Sequence, residues 1–200
     1  MRDLDVRRAV RSRLQAEHAG DADTRIVEEM GIWHGSVRVD LAVINGEIAG
    51  YELKSARDTL ARLPAQAELY SQVFDRMYLV AAERHVDHAL PVLPEWWGVL
   101  TAIDDEGAVR LEEARPATPN PAVSSLQLAR LLWRSEALAI LERNSLARGV
   151  KSASREKVAE RLSSAIDLKS LAFEVRRALK DREGWLGRNR PIGTACLMAR

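Results

Sequence analysis

Three charged residues in one short stretch of the chain have the types and spacing to act on a phosphate ester. Asp40 precedes an E-x-K pattern formed by Glu52 and Lys54, and an Asn-Gly dipeptide lies between them. Strands rich in Val, Ile and Tyr around Asn-Gly are typical of a β-hairpin. Side chains alternate across a strand, so Glu52 and Lys54 share a face, and the hairpin brings Asp40 near Glu52.

Two carboxylates beside a lysine suit metal-dependent hydrolysis. Mg²⁺ held by Asp40 and Glu52 would neutralise charge on the phosphate and make a water nucleophilic near neutral pH. The Lys54 ammonium would add positive charge where negative charge grows in the transition state. The same spacing also fits an amphipathic hairpin that only exposes a charged face, so the pattern alone leaves both interpretations open.

The surrounding stretch, D-L-A-V-I-N-G-E-I-A-G-Y-E-L-K-S-A-R-D-T-L-A-R-L-P-A-Q-A-E-L-Y, runs from Asp40 to Tyr70. It resembles the PD-(D/E)XK superfamily of restriction-endonuclease-like nucleases, and within it a small bacterial branch. There the Asp and E-x-K form the catalytic motif, a Glu on the preceding helix assists, and the next helix carries Gln and Tyr four residues apart. The resemblance extends from about Glu29 to Trp185. Val39 stands where the first motif of the superfamily has Pro.

The resemblance implies a role for each matched residue. The catalytic residues are Glu29, Asp40, Glu52 and Lys54, the substrate-positioning residues are Gln66 and Tyr70, and the metal ligands are Asp40, Glu52 and the backbone carbonyl of Leu53. Lys54 would orient or activate the attacking water. Glu29, or alternatively Glu28, would lie on a helix and hold a metal-bound water. Mg²⁺ is the expected cofactor, and Mn²⁺ is expected to substitute. Periodicity alone favours a core role for Tyr70 and a surface role for Gln66.

The register of the hairpin decides whether this site can form. A two-residue Asn-Gly turn would pair Asp40 with Tyr51 and place Asp40 on the face opposite Glu52. A three-residue loop, or a bulge near Gly50, shifts the phase and returns Asp40 to the face of Glu52. We therefore expect one of these two irregularities.

Composition bounds the class of protein. The 200 residues, 46% hydrophobic, suit one compact core with an appended piece. Cys196 is the only cysteine, so no internal disulfide is possible. The charged start of the chain and the lack of a long apolar run predict a cytoplasmic protein with no membrane segment.

Charge is divided unevenly along the chain. Residues 1–120 contain 14 Lys and Arg against 21 Asp and Glu, whereas residues 121–200 contain 16 against 8. A basic C-terminal part would help an acidic core to hold nucleic acid. Alternatively, these cations only solvate helix surfaces or pair with the acidic core.

The pattern of the chain predicts an α/β fold, a restriction-endonuclease-like mixed sheet core flanked by helices. This core is expected over residues 1–115, followed by a helical C-terminal segment over 122–185 and a basic tail over 186–200. Within these parts, Arg25 to Met30 is expected to begin as helix and to be extended by its end, and Leu126 to Glu142 is expected to form one helix. Asp167 could cap the last helix. Asp58 and Arg62, four residues apart, could form a surface ion pair of little energetic weight.

The sequence therefore predicts a metal-dependent nuclease that hydrolyses phosphodiester bonds, with DNA favoured over RNA as substrate and a homodimer possible. One alternative is a catalytically silent nuclease fold that binds nucleic acid or acts as a scaffold. Another is a regulator that uses the basic helices near Arg155 and Arg176 as a helix-turn-helix.

Overall fold

The computed structural model of the protein describes residues 1–32, 35 and 37–183. The basic tail expected over 186–200, including Cys196, lies outside the described residues, as does Trp185 at the end of the expected helical segment. None of the helices in the described ranges has both the length and the apolar character needed to cross a bilayer.

Seven α-helices and six strands make up the described chain, with a short 3₁₀ turn at Leu90–Val92. Their bounds are α1 (Asp3–Glu17), β1 (Arg25–Ile32), β2 (Val37–Ile44), β3 (Ile48–Lys54), α2 (Leu63–Tyr70), β4 (Arg76–Ala82), α3 (Glu83–Ala89), β5 (Gly98–Asp105), β6 (Ala108–Arg115), α4 (Ser125–Ala129), α5 (Arg134–Arg143), α6 (Arg155–Ala165) and α7 (Leu168–Asp181). The strands form one sheet in sequence order. β3, β4 and β5 run parallel, and the other neighbours are antiparallel. The expected α/β class, with a mixed sheet, flanking helices and a helical C-terminal segment, is confirmed.

Helices cover both faces of the sheet. On α1, the apolar residues Val6, Val10 and Leu14 recur every four positions and are buried against one face. The other face packs against α2, α3 and α4–α7 in one continuous apolar cluster. The proposed division into a core over 1–115 and a helical segment over 122–185 stays a prediction, and both parts contribute side chains to this cluster.

Two of the predicted elements were wrong. The stretch from Arg25 to Met30 does not begin as helix, because it is the start of β1 and pairs with β2 from its first residue. The single helix expected over Leu126 to Glu142 is broken into α4 and α5. Trp133 has an extended backbone with ψ of 155°, and its N–H donates to the Glu136 side chain, which caps the start of α5. The Asp167 cap is confirmed, since its side chain accepts the Ser170 N–H.

Several cations of the C-terminal helices bind the rest of the protein. Arg176 lies 3.4 Å from Asp75, and Lys180 lies 2.6 Å from Asp23. Arg155 donates hydrogen bonds to backbone carbonyls at the end of α4 and in the turn that follows it. Ion pairs with acidic residues just before β4 and β1 therefore account for Arg176 and Lys180, as one of the two interpretations of the charge division expects.

Candidate active site

A three-residue loop joins β2 to β3 and sets the register of the candidate site. Residues 45–47 form this loop, closed by hydrogen bonds between its ends. Leu41 pairs with Tyr51, so continuing the register pairs Asp40 with Glu52, and the two side chains lie on the same face of the sheet. One of the two expected irregularities, the three-residue loop, is confirmed.

The two strands separate where Asp40 lies. The described ladder between them ends at the Leu41–Tyr51 pair. Beyond this pair the Leu53 N–H donates to the Asp40 carboxylate at 2.8 Å, instead of to a backbone carbonyl of β2. The N–H and C=O of a strand residue point toward the same neighbour, so the Leu53 carbonyl faces the same gap. Asp40 thus bridges the strands at the point where the cleft opens.

Glu29 occupies the next position across the sheet. Its neighbours Glu28 and Met30 pair with Leu41 and Val39, which puts Glu29 opposite Asp40. Its φ of 51° lies in the left-handed region, which a non-glycine residue adopts only when the surrounding structure holds it there. Glu29, Asp40 and Glu52 therefore form a row across β1, β2 and β3.

The expectation that Glu29 acts from a helix is wrong, because the residue lies within β1. The choice between Glu29 and Glu28 also has a structural answer. Glu29 lines a cleft of ≈ 450 Å³ together with Asp40 and Glu52. Glu28 instead forms an ion pair with Arg11 of α1 at 2.7 Å. Of the two, Glu29 is the acid at the site.

Glu52 is the centre of a buried polar network. Its Oε1 atom accepts from Lys54 Nζ at 2.5 Å and from Gln66 Nε2 at 2.6 Å. Lys54 Nζ also donates to Gln66 Oε1 at 3.1 Å. Glu52 and Lys54 are 3% and 4% exposed, so their opposite charges meet away from water. The structure brings together the E-x-K pair and the expected Gln66.

Tyr70 serves the core and the site at once. Its buried ring packs edge-on against Phe74 and stacks on Trp97. Its hydroxyl lies 2.8 Å from the Arg38 carbonyl and 3.0 Å from Glu52 Oε2. The core role that periodicity favours and the site contact that the resemblance implies are therefore both present.

Burial and neighbouring charge shift the acidities in this network. Desolvation and the nearby Asp40 charge raise the pKa of Glu52, whereas Lys54 and the Tyr70 hydrogen bond oppose the rise. Desolvation and the Glu52 charge also raise the pKa of Tyr70. Tyr70 therefore remains a neutral hydroxyl donor near neutral pH.

Arg7 of α1 is a site residue that the sequence analysis missed. Its guanidinium lies 2.7 Å from the Asp40 carboxylate and 3.0 Å from that of Glu29. Burial lowers the pKa of Arg7, but the charges of Asp40, Asp3 and Glu29 outweigh it and raise that pKa above its usual value. The sequence showed only that Arg7 follows Val6, at the edge of the buried stripe of α1. That position does not indicate which acidic residues Arg7 would contact.

The donor atoms of the site suit a hard divalent cation. Asp40, Glu52 and the Leu53 carbonyl offer only oxygen, the ligand type that Mg²⁺ and Mn²⁺ prefer. Across the described ranges, no group of three or more His, Cys, Asp or Glu side chains has the arrangement of a metal site. Arg7 and Lys54 already donate hydrogen bonds to the carboxylates of Asp40 and Glu52. A bound metal ion would therefore have to displace these donors from the oxygens that it binds.

Comparison with known proteins places the chain in a family. The model of the family described as Bacteriophage P4 protein cII matches residues 2–185. The chain belongs to this family. Protein cII of Enterobacteria phage P4 is 29% identical over 91 residues, covering 46% of this chain and 34% of that protein. The match thus spans about a third of the length of this relative. All candidate site residues fall within the part of the chain that the P4 cII family model matches.

One solved structure was also found to be similar. It is the SPO1766 protein of unknown function from Silicibacter pomeroyi, with a TM-score of 0.47 and 20% sequence identity. The alignment covers 76% of this chain and 97% of that protein.

Proposed function

We propose that this member of the P4 cII family is a metal-dependent nuclease of the PD-(D/E)XK type, acting on phosphodiester bonds with DNA as the favoured substrate. One observation carries the proposal. The register of β2 and β3 pairs Asp40 with Glu52 on one face of the sheet, and Lys54 donates a hydrogen bond to Glu52 on that same face. Two carboxylates and a lysine around one cleft are the groups that this hydrolysis needs.

Each residue has a proposed part. Asp40, Glu52 and the Leu53 carbonyl would hold Mg²⁺ or Mn²⁺, which supplies charge neutralisation and a nucleophilic water. Lys54 would place its ammonium beside the attacked phosphate and stabilise the charge that grows there. Gln66 and Tyr70 hold the Glu52 carboxylate through hydrogen bonds, so they would fix its orientation toward the ion and the substrate. Glu29 would accept a hydrogen bond from water at the edge of the cleft.

A cleavage assay tests the proposal. Labelled single- and double-stranded DNA and RNA are incubated with Mg²⁺, with Mn²⁺ or with EDTA. We expect cleavage only with a divalent metal, and its loss in Asp40→Asn. Asp58→Asn is the matched control, since Asp58 also accepts a backbone N–H, at 2.7 Å, but does not line the cleft. Equal cleavage in EDTA, or full activity of Asp40→Asn, would refute the proposal.

The second candidate function is a nuclease fold that binds nucleic acid without cleaving it. The observation in its favour is Arg7, whose guanidinium already pairs with Asp40 and Glu29 and offsets part of their negative charge. An internal cation beside these carboxylates reduces their need for a metal ion. Calorimetric titration separates the two functions, because the silent protein would bind nucleic acid and show no heat with Mg²⁺ or Mn²⁺.

A further inference from the structure

Two exposed arginines line the same cleft as the candidate carboxylates. Arg38 belongs to β2, and Arg62 immediately precedes α2. Within the described ranges, neither guanidinium forms an ion pair with an acidic side chain. The expected Asp58–Arg62 pair does not form, because Asp58 accepts the N–H and the hydroxyl of Ser55 instead. Both charges are therefore available to a ligand.

The other charged side chains of the cleft are paired with one another, and one carboxylate is left in excess. Lys54 pairs with Glu52, and Arg7 pairs with Asp40 and Glu29. The half-exposed carboxylate of Glu29 and the two exposed arginines face the solvent, and the two arginines outweigh the one carboxylate in excess. Guanidinium groups bind phosphate oxygens through two parallel hydrogen bonds, so an anionic ligand with phosphate groups fits best.

The two arginines approach the cleft from different elements. Arg38 lies two residues before Asp40, and its carbonyl lies 2.8 Å from the Tyr70 hydroxyl. Arg62 lies one helical turn before Gln66, which bonds to Glu52. The strand and the helix thus each contribute one cation to the cleft that contains the buried network.

We propose that Arg38 and Arg62 form a phosphate clamp that grips a polynucleotide strand on both sides of the Asp40–Glu52 site. This inference rests on the proposed function and deepens it. A clamp with two arms needs phosphates on both sides of the central one, so the ligand class is an internal stretch of a nucleic-acid strand. A mononucleotide would engage one arm at most.

Salt dependence of binding in EDTA tests the clamp without requiring cleavage. A fluorescein-labelled 20-bp DNA duplex is titrated with the protein at several NaCl concentrations. For duplex DNA, log K decreases as log[salt] increases, and the steepness of this decrease is reduced by about 0.9 for each phosphate that a variant no longer neutralises. We expect Arg38→Gln and Arg62→Gln each to lower the slope by about this amount, and the double variant by about twice as much.

Matched variants make the result specific. Arg8→Gln removes an exposed arginine of α1, which packs on the other face of the sheet, and should leave the slope unchanged. Arg38→Lys and Arg62→Lys keep the charge and should keep the slope while binding more weakly. A parental slope in the double variant, or no salt-dependent binding by the parent, would overturn the clamp. Failure of metal-dependent cleavage with the slope change intact would refute the nuclease and leave the clamp.

Discussion

Arg7 donates to both the carboxylate of Asp40, at 2.7 Å, and its backbone carbonyl, at 3.1 Å. The helix that carries Arg7 packs on the face of the sheet away from α2. Its guanidinium nevertheless reaches the gap between β2 and β3, because Asp40 lies where these strands separate. A divalent cation at Asp40 would compete with this guanidinium for the same oxygens.

Replacing Arg7 should therefore strengthen metal binding. Arg7→Met keeps an apolar stem and removes the competing charge, so we expect Mg²⁺ affinity to rise by about tenfold, equivalent to ~1.4 kcal/mol. Without metal the variant should melt at a lower temperature, since Asp40 and Glu29 lose their counter-ion. Calorimetry measures the affinity, and Arg8→Met is the control. Unchanged or weaker metal binding in Arg7→Met would count against competition at Asp40.

Shortening the β2–β3 loop should leave the site intact, because the strand pairs decide which side chains share a face. Deletion of Glu47 leaves a two-residue Asn-Gly turn between Ile44 and Ile48, which already pair, so Asp40 stays paired with Glu52. We expect the rise in melting temperature on adding Mg²⁺ to be retained. Glu47→Ala is the control for the loss of the Glu47–Arg76 ion pair at 2.9 Å, and should also retain the rise. Loss of the rise in the deletion variant but not in Glu47→Ala would show that strand pairing alone does not hold the site.

The Tyr70 hydroxyl should contribute measurably to stability. Tyr70→Phe preserves the ring packing on Phe74 and Trp97 but leaves Glu52 with one hydrogen bond fewer. We expect a loss of about 1–3 kcal/mol in the free energy of unfolding, from urea titration. Tyr51→Phe is the control, because the Tyr51 ring is also buried but its hydroxyl forms no hydrogen bond with the described residues. Equal losses in both variants would contradict a specific role for Tyr70.

Stability should depend on pH through Glu52. Burial and the Asp40 charge raise the pKa of Glu52, so the folded protein keeps this proton to higher pH than the unfolded chain, where a Glu titrates at about 4.3. The stability gained from protonation is fully present below about 4.3 and is lost as pH rises through the raised folded value.

The double variant Glu52→Gln/Lys54→Met removes both buried charges and provides the comparison. We expect the free energy of unfolding of the parent, minus that of the variant, to fall as pH rises from about 4 to about 7. Urea titrations across this range measure the difference. A difference that stays flat or grows with pH would show that the pKa of Glu52 is not raised in the folded protein.

Much of the fold followed from local patterns. Helical periodicity located α1 and α7, and the Asn-Gly turn between alternating strands located the β2–β3 hairpin. The predicted helical start at Arg25 failed because short apolar-acidic stretches fit helix and strand alike, and pairing with β2 decides between them. The break at Trp133 was missed because its capping partner, Glu136, also fits an uninterrupted helix.

The sequence by itself determined which residues share the face of β3 and of α2. Glu52 and Lys54 are two apart on a strand, and Gln66 and Tyr70 are four apart on a helix, so local backbone geometry fixes both relationships. Only the tertiary structure decided that Glu29 lies beside Asp40, that Arg7 pairs with both, and that Arg62 has no acidic partner among the described residues. These relationships join residues far apart in the chain or depend on competing partners, and the packing of helices onto the sheet selects among them.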